Sequence, residues 1–513
     1  MYSKLWSGAI FGVQAYLVGV EVDIAQGLPG FSMVGSLSGE VRESRERVHV
    51  ALKNMGLHLP PTHITVNLSP ADRRKEGTAF DLPIAVGILH AMNYFETEAI
   101  EDTLFLGELG LNGEIKSIPG VLPIVREAAK HGIKQCIVPE KNAIEGAVIP
   151  NITVRGVASI GQLLEFLQSP EEMRDDILPI CILDDSANDA ESEKKYPDFL
   201  EVAGQQLAKR AAEIAAAGFH NLLMVGPPGA GKTMIAKRIP GIMPALTLEE
   251  SLEVTSIASI AGVLGEDGRL IQKRPFWQPH HTISNVALVG GGNHPKPGII
   301  SLAHRGVLFL DELPEFQRYI LDSMRQPIEE HKIHISRANG SVTYPADFML
   351  VCAMNPCVCG YYPDTNRCRC TEPQIKRYMG KVSGPILDRI DLCVEVQPVD
   401  VFALQQNQLA ESSATIRGRV EQARMMQKER FNGTNYRFNA DVESGDMEYF
   451  FALGEKQRNC MKNIYHSLQL SARAYHRIIK VARTIADLTG EEQIREEHLM
   501  EAAVYRPSME YWI

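Results

Sequence analysis

The segment Asn221-Leu222-Leu223-Met224-Val225 is short and apolar enough to be a buried strand, and it runs directly into Gly226-Pro227-Pro228-Gly229-Ala230-Gly231-Lys232-Thr233. That loop fills every required position of the glycine-rich, Lys-Thr-terminated phosphate-binding pattern. Glycines let the backbone curl so that its N–H groups turn inward toward phosphates, and the helix expected over 234–238 presents its positive end to the same charge. Such a loop works only between a strand and a helix of an open sheet, so the expected fold class is α/β with a P-loop core. Lys232 then reaches the β- and γ-phosphates, and Thr233 ligates Mg²⁺. A chance glycine-rich turn is the alternative, and the strand before it argues against one.

Two further strand ends extend the pattern. Val307-Leu308-Phe309-Leu310 leads into Asp311-Glu312, where the first acid holds Mg²⁺ and the second polarises the attacking water. A third apolar run over 348–353 leads to Met354-Asn355-Pro356, placing Asn355 at the edge where ligands bind in open α/β sheets. Asn355 is read as touching the γ-phosphate or the attacking water, the alternative being an asparagine that caps its own loop. Together these residues predict a nucleotide hydrolase using ATP and Mg²⁺.

With 513 residues the chain has room for three or so domains, and 45% hydrophobic with 22% charged residues excludes a disordered, collagenous or membrane-embedded class. The net charge of -11 argues against chain-wide attraction to nucleic acid, yet residues 171–193 alone carry nine acids and one base, leaving -3 for the remainder. That stretch reads as a solvated linker, and it divides the chain into 1–168, a linker 169–195, a core 196–400 and a C-terminal part 401–513. Residues 332–381, by contrast, hold seven bases against three acids.

An uncharged run follows Lys4 as far as Val20, but Gln14 interrupts it and Glu21 and Asp23 end it, so paired strands are expected rather than a signal peptide. The nine cysteines show no disulfide spacing, which suits a reducing cytoplasm, with no membrane partner. Four of them, Cys357, Cys359, Cys368 and Cys370, form two Cys-x-Cys pairs that fit one tetrahedral Zn²⁺; the alternative is a reduced thiol cluster without metal.

The motif order resembles the AAA+ ATPases, specifically the magnesium-chelatase-like YifB/ComM family. The residues that carry the resemblance are Ala215-Ala216-Ala217-Gly218-Phe219-His220-Asn221, Arg274-Pro275-Phe276, Pro279-His280-His281-Thr282, Ala287-Leu288-Val289-Gly290-Gly291-Gly292, Ser301-Leu302-Ala303-His304, Pro356-Cys357-Val358-Cys359-Gly360 and Leu387-Asp388-Arg389-Ile390-Asp391. Two positions depart from it: Trp277 stands where relatives generally carry Arg, and Ile299 where they usually carry an acid. The resemblance implies a homo-hexameric ring with ATP sites between subunits, Arg389 as a finger supplied in trans and Arg473 as the second sensor on a helical lid. Both arginines have an alternative as ordinary salt-bridged residues. Two insertions are expected to face the ring's pore: a hairpin over 332–344, like that of MCM helicases, and a glycine-rich loop over roughly 257–299. Packing between subunits is their alternative role.

Residues 1–165 resemble the proteolytic domain of Lon through Gly113-Glu114-Ile115, Ile118-Pro119-Gly120 and the stretch after Gly132. Ala79 stands where that domain needs its serine and Leu122 where it needs its lysine, so a non-proteolytic Lon-like α+β domain is expected, serving ring assembly or DNA guidance. At the other end, Ile416, Val420 and Ala423, then Tyr475, Ile478, Ile479, Ala482 and Ile485, keep helical spacing and predict the lid. The expected function is a DNA-translocating ATPase, a helicase or branch-migration motor in recombination or natural transformation, with no porphyrin partner. A chelatase-type motor with partner subunits and a nucleotide-dependent scaffold are the alternatives.

Overall fold

The uncharged N-terminal run folds as a strand pair, Tyr2–Phe11 against Gln14–Ala25, antiparallel from Tyr2 opposite Asp23 to Phe11 opposite Gln14. The computed structural model describes residues 1–182, 196–265, 268–292, 295–337, 340–398 and 411–506. The pair sits inside a seven-stranded mixed sheet ordered Gly30–Val34, His63–Ser69, Gln14–Ala25, Tyr2–Phe11, Thr103–Phe105, Gln135–Pro139, Thr153–Val157. Side chains alternate between its faces. Val18, Val20 and Val22 join one core under the helices Gly39–Asn54 and Asp81–Ala91, while Ala15 and Leu17 pack with the helix Val121–Lys130 on the other side.

The segment expected to be linker from residue 169 begins instead as a helix, Glu171–Ile177. Arg155 donates to Asp175 at 2.6 Å and Leu178 is fully buried, so local partners hold this acidic stretch against the N-terminal unit despite its composition. The rest of that expected linker, 183–195, lies outside the described residues.

The second sheet is parallel throughout: Phe276–Trp277, Val307–Leu310, Met349–Met354, Leu222–Val225, Leu392–Glu395 in spatial order. Both faces are covered, which is why its strands read as continuous apolar runs. Leu222, Met224, Phe309 and Val351 face a core shared with the helices Gln206–Gly218, Ser413–Arg430 and Ala472–Leu488, while Leu223, Leu308, Leu310 and Leu350 face the opposite side. One expectation needs correction here. The glycine-rich insertion placed at roughly 257–299 is narrower, because 257–261 complete the helix Leu248–Ala261 and Phe276–Trp277 is the sheet's edge strand. A two-residue strand carries no period to read. Trp277 and Ile299 both pack against the core on that side, so apolar contact occupies these departures from the family pattern.

The hairpin forms as expected, with Lys332–Arg337 opposite Gly340–Pro345. Its Val342 lies so close to the turn of the first strand pair that a Cβ at Gly12 would come within 2.6 Å of it. A second seam joins the two sheets' surroundings: the Gly120 N–H donates to Ser259 Oγ at 3.0 Å, and Ser259 in turn donates to Glu145. In the C-terminal part, Ile416, Val420, Ala423, Ile478, Ala482 and Ile485 are all buried. Several of its basic residues are partnered internally: Arg430 and Arg483 pair with Asp487, and Lys480 donates to the Ala440 carbonyl at 2.7 Å. Among the described residues no helix is long and apolar enough to cross a membrane.

Candidate nucleotide site

The phosphate-type loop leaves the central strand Leu222–Val225 and enters the short helix Lys232–Ala236. Its glycines are required by different constraints. A Cβ at Gly226 would stand 2.1 Å from the Val396 carbonyl oxygen, so no larger residue fits there. Gly229 and Gly231 instead adopt φ of +75° and +92° with open space where a Cβ would point, leaving a bare backbone concavity of the kind that receives an anion. Pro227, Pro228 and Ala230 complete the curl, with the Ala230 N–H donating to Pro227 O at 3.3 Å.

Register brings the other site residues to the same edge. Val225 lies beside Met354, and Leu310 beside Cys352, so the residues after the three strands emerge together. Lys232 Nζ donates to Gly226 O at 2.6 Å, Pro227 O at 2.9 Å and Asn355 Oδ1 at 3.1 Å. Thr233 Oγ1 donates to Asp311 Oδ2 at 2.8 Å. Burial pulls the Lys232 ammonium below its usual pKa, and Asp311 opposes that shift. This donor set fits a nucleotide with its Mg²⁺: one buried ammonium, a hydroxyl bonded to a carboxylate, and a concave backbone.

Glu312 follows with φ +53°, a left-handed conformation uncommon for a non-glycine residue, and its backbone N–H donates to Asp311 Oδ1 at 3.0 Å. Its carboxylate is 59% exposed and lies 3.5 Å from His281 Nδ1. His281 thus stands beside the Glu312 carboxylate, a pairing that motif spacing does not reveal. His281→Ala is expected to leave nucleotide affinity nearly unchanged and to slow turnover roughly ten- to a hundredfold by loosening Glu312. Equilibrium binding beside phosphate-release kinetics checks it, and unaltered turnover would remove His281 from this role.

Gln205 was also missed. With φ +57°, it donates from Nε2 to Ala230 O at 3.1 Å and to the Gln397 carbonyl, tying the phosphate loop to the segment after the fifth strand. Its signal was the pair Gly204-Gln205, both left-handed, just before the helix Gln206–Gly218. These residues open onto a cavity of about 1030 Å³ beside Gly226 and Pro227.

Arg389 and Arg473 lie elsewhere. They line a second cavity of about 580 Å³ with Asp388, Asp391, Arg477 and Lys480, and no residue of the phosphate loop contributes to it. Arg389 pairs with Glu329, while Arg473 Nη1 sits 3.7 Å from Asp388 Oδ2. The segment carrying Arg389 is anchored by Asn221, whose Nδ2 donates to Arg389 O at 2.9 Å and whose Oδ1 accepts from Leu350 N at 2.9 Å. Neighbouring His220 bonds Thr484 Oγ1 of the C-terminal helix at 2.8 Å. The stretch ending at Asn221 therefore ties the sheet, the segment carrying Arg389 and the helix Ala472–Leu488 together.

The sulfurs of Cys357, Cys359, Cys368 and Cys370 all lie within 4.8 Å of one another. Of the basic residues in 332–381, Lys376 pairs with Glu372, Lys381 with Glu315 and Arg367 with Asp364.

Comparison with known proteins matches three family models: "Magnesium chelatase, subunit ChlI" over residues 198–404, "Subunit ChlI of Mg-chelatase" over 20–142, and "Magnesium chelatase, subunit ChlI C-terminal" over 410–506. Competence protein ComM of Haemophilus influenzae is 44% identical over 506 residues, covering 98% of this chain and 97% of that protein. The protein YifB of Escherichia coli is 42% identical over 499 residues, covering 97% and 96%. A DNA repair protein RadA of Streptococcus pyogenes matches only 17% of this chain, at 42% identity over 88 residues.

Proposed function

The chain belongs to the magnesium-chelatase-like family of AAA+ ATPases that includes ComM and YifB, and from that premise we propose that it is a homo-hexameric, ATP-driven DNA motor, a helicase or branch-migration translocase acting in recombination or natural transformation. The observation that carries this reading is an intact phosphate site in a chain that aligns end to end with a competence protein. The separate cavity of Arg389 and Arg473 supports a ring, since each site then lacks its arginines until a second copy supplies them.

In this mechanism the backbone of 226–231 and Lys232 bind and orient the triphosphate. Thr233 and Asp311 would hold Mg²⁺, which offsets phosphate charge when bound. Glu312 accepts a proton from the attacking water, held in place by His281, and Asn355 fixes the Lys232 ammonium. Arg389 and Arg473 of the neighbour stabilise charge developing on the transferred phosphoryl. The hairpin 332–345 and the loop around Gly290 face the pore in this reading, with DNA as partner.

The N-terminal domain is read as Lon-like and non-proteolytic. Leu122 is fully buried, Thr78 donates to Glu108, and the Lys75 ammonium is bonded to the Pro70 and Arg73 carbonyls, so no hydroxyl and amine are paired there. The magnesium-chelatase models favour one rival, an ATPase motor serving chelatase partner subunits. A synthetic four-way DNA junction separates the two. ATP-dependent conversion of the junction into duplexes, with DNA-stimulated hydrolysis, is expected; hydrolysis indifferent to every DNA and an untouched junction would overturn the DNA motor.

A further inference from the structure

The four-cysteine segment does not stand apart from the nucleotide site. Gly360, at φ +85°, packs so tightly on the phosphate loop that a Cβ there would come within 2.5 Å of Pro228 Cδ. Tyr361 and Arg367 then line the same cavity as Gly226 and Pro227, with the Arg367 guanidinium 5.9 Å from the Tyr361 ring centre and 3.8 Å from its exposed partner Asp364. An aromatic face and a cation on one wall, with Asp364 beside them, and the entry of the phosphate loop at Gly226 and Pro227 on the other, suit the base of a nucleotide whose phosphates extend along that loop.

What holds this wall is not burial, since residues 363–367 are all exposed. Within it run short turn bonds, such as Asp364 N to Tyr361 O at 2.8 Å and Cys368 N to Asp364 O at 2.7 Å, and the exposed Arg367–Asp364 pair. The cysteines close it from both ends. Their sulfurs are separated by 3.3 Å for Cys357–Cys359, 3.7 Å for Cys357–Cys368 and 3.6 Å for Cys359–Cys368. A tetrahedral ion about 2.3 Å from each thiolate needs sulfurs about 3.8 Å apart, whereas a disulfide needs about 2.05 Å. The Tyr362 N–H donates to Cys357 Sγ at 3.4 Å, the kind of support a ligating thiolate receives.

We propose that one Zn²⁺ bound by Cys357, Cys359, Cys368 and Cys370 closes segment 357–370 into a wall of the nucleotide cavity, so that zinc occupancy sets how tightly the chain holds ATP. This rests on the nucleotide reading above. Without the cross-link the segment samples other arrangements, and apparent affinity falls in proportion to the fraction that remains competent, on the order of tenfold if one chain in ten keeps the wall.

The test uses the full chain. Zinc per chain is measured by plasma mass spectrometry, and binding of a fluorescent, non-hydrolysable ATP analogue is measured on zinc-loaded, chelator-stripped and zinc-restored protein, with thermal melting as a check on folding. The expected result is one zinc per chain, affinity at least about tenfold weaker after stripping, and recovery on adding zinc back. Cys368→Ser with Cys370→Ser should lose both zinc and affinity without recovery. Arg367→Ala should keep its zinc and its melting temperature while binding nucleotide more weakly, which shows that the wall reaches the nucleotide even where stripping unfolds the protein. Absence of zinc, or affinity unchanged by stripping and by Arg367→Ala, would overturn the proposal. Zinc-loaded protein that binds no nucleotide would overturn the nucleotide reading instead, leaving the metal count standing.

Discussion

Replacing Glu312 by glutamine is expected to leave ATP bound and to slow its hydrolysis about 10²–10⁴-fold, the range a positioned general base contributes. The neighbouring carboxylate cannot take over, because Asp311 accepts from Thr233 Oγ1 at 2.8 Å and from the Glu312 N–H, facing the phosphate loop rather than solvent. Glu312 is turned the other way by its left-handed backbone, a conformation costing a side-chain-bearing residue about 1–2 kcal/mol. Strain at that residue aims the carboxylate outward, toward His281 and solvent. Glutamine keeps the size and the hydrogen-bonding reach but accepts no proton. Single-turnover phosphate release beside binding of a fluorescent analogue separates the two effects, and wild-type turnover in the variant would remove Glu312 as the base.

The parts of this site that spacing revealed are those that a strand-loop-helix unit fixes locally. Gly226, Asp311 and Asn355 each stand one step beyond an apolar run, so the periodicity that marks a buried strand also marks the residue at its end, and Lys232 and Thr233 follow at the spacing the glycine-rich pattern fixes. The parts it missed depend on contacts far apart in the chain. His281 meets Glu312, and Gln205 bridges Ala230 and Gln397; no local pattern encodes either pairing. The edge strand Phe276–Trp277 escaped for a related reason: two residues make too short a repeat, and their strand character comes from pairing with Val307–Leu310. Charge misled in the opposite sense. Composition marked 171–177 as solvated linker, yet a single ion pair from Arg155 and the burial of Leu178 keep it in place. Local basic charge needed the same discount, since Lys376 and Lys381 have carboxylate partners within their own chain.

Arg389→Ala is expected to lower hydrolysis by roughly 10³–10⁵-fold, the range of a finger supplied to another site, without weakening ATP binding by the chain that carries the substitution. Within one chain Arg389 has no path to chemistry: its cavity contains no residue of the phosphate loop, and its guanidinium pairs with Glu329 and donates to the Pro385 carbonyl. Among the described residues its Nε is buried without a partner, a group poised to gain a hydrogen bond once the side chain moves. If the finger acts in trans, two inactive variants must complement each other. An Arg389→Ala chain still presents an intact Glu312, and a Glu312→Gln chain still presents an intact Arg389, so an interface with the first as nucleotide holder and the second as donor has every group. Random equal mixing makes about a quarter of interfaces complete in a head-to-tail ring, and hydrolysis should return to about that share of the wild-type rate. An arginine acting within its own chain predicts no recovery at any mixing ratio, because every chain then lacks either its base or its finger.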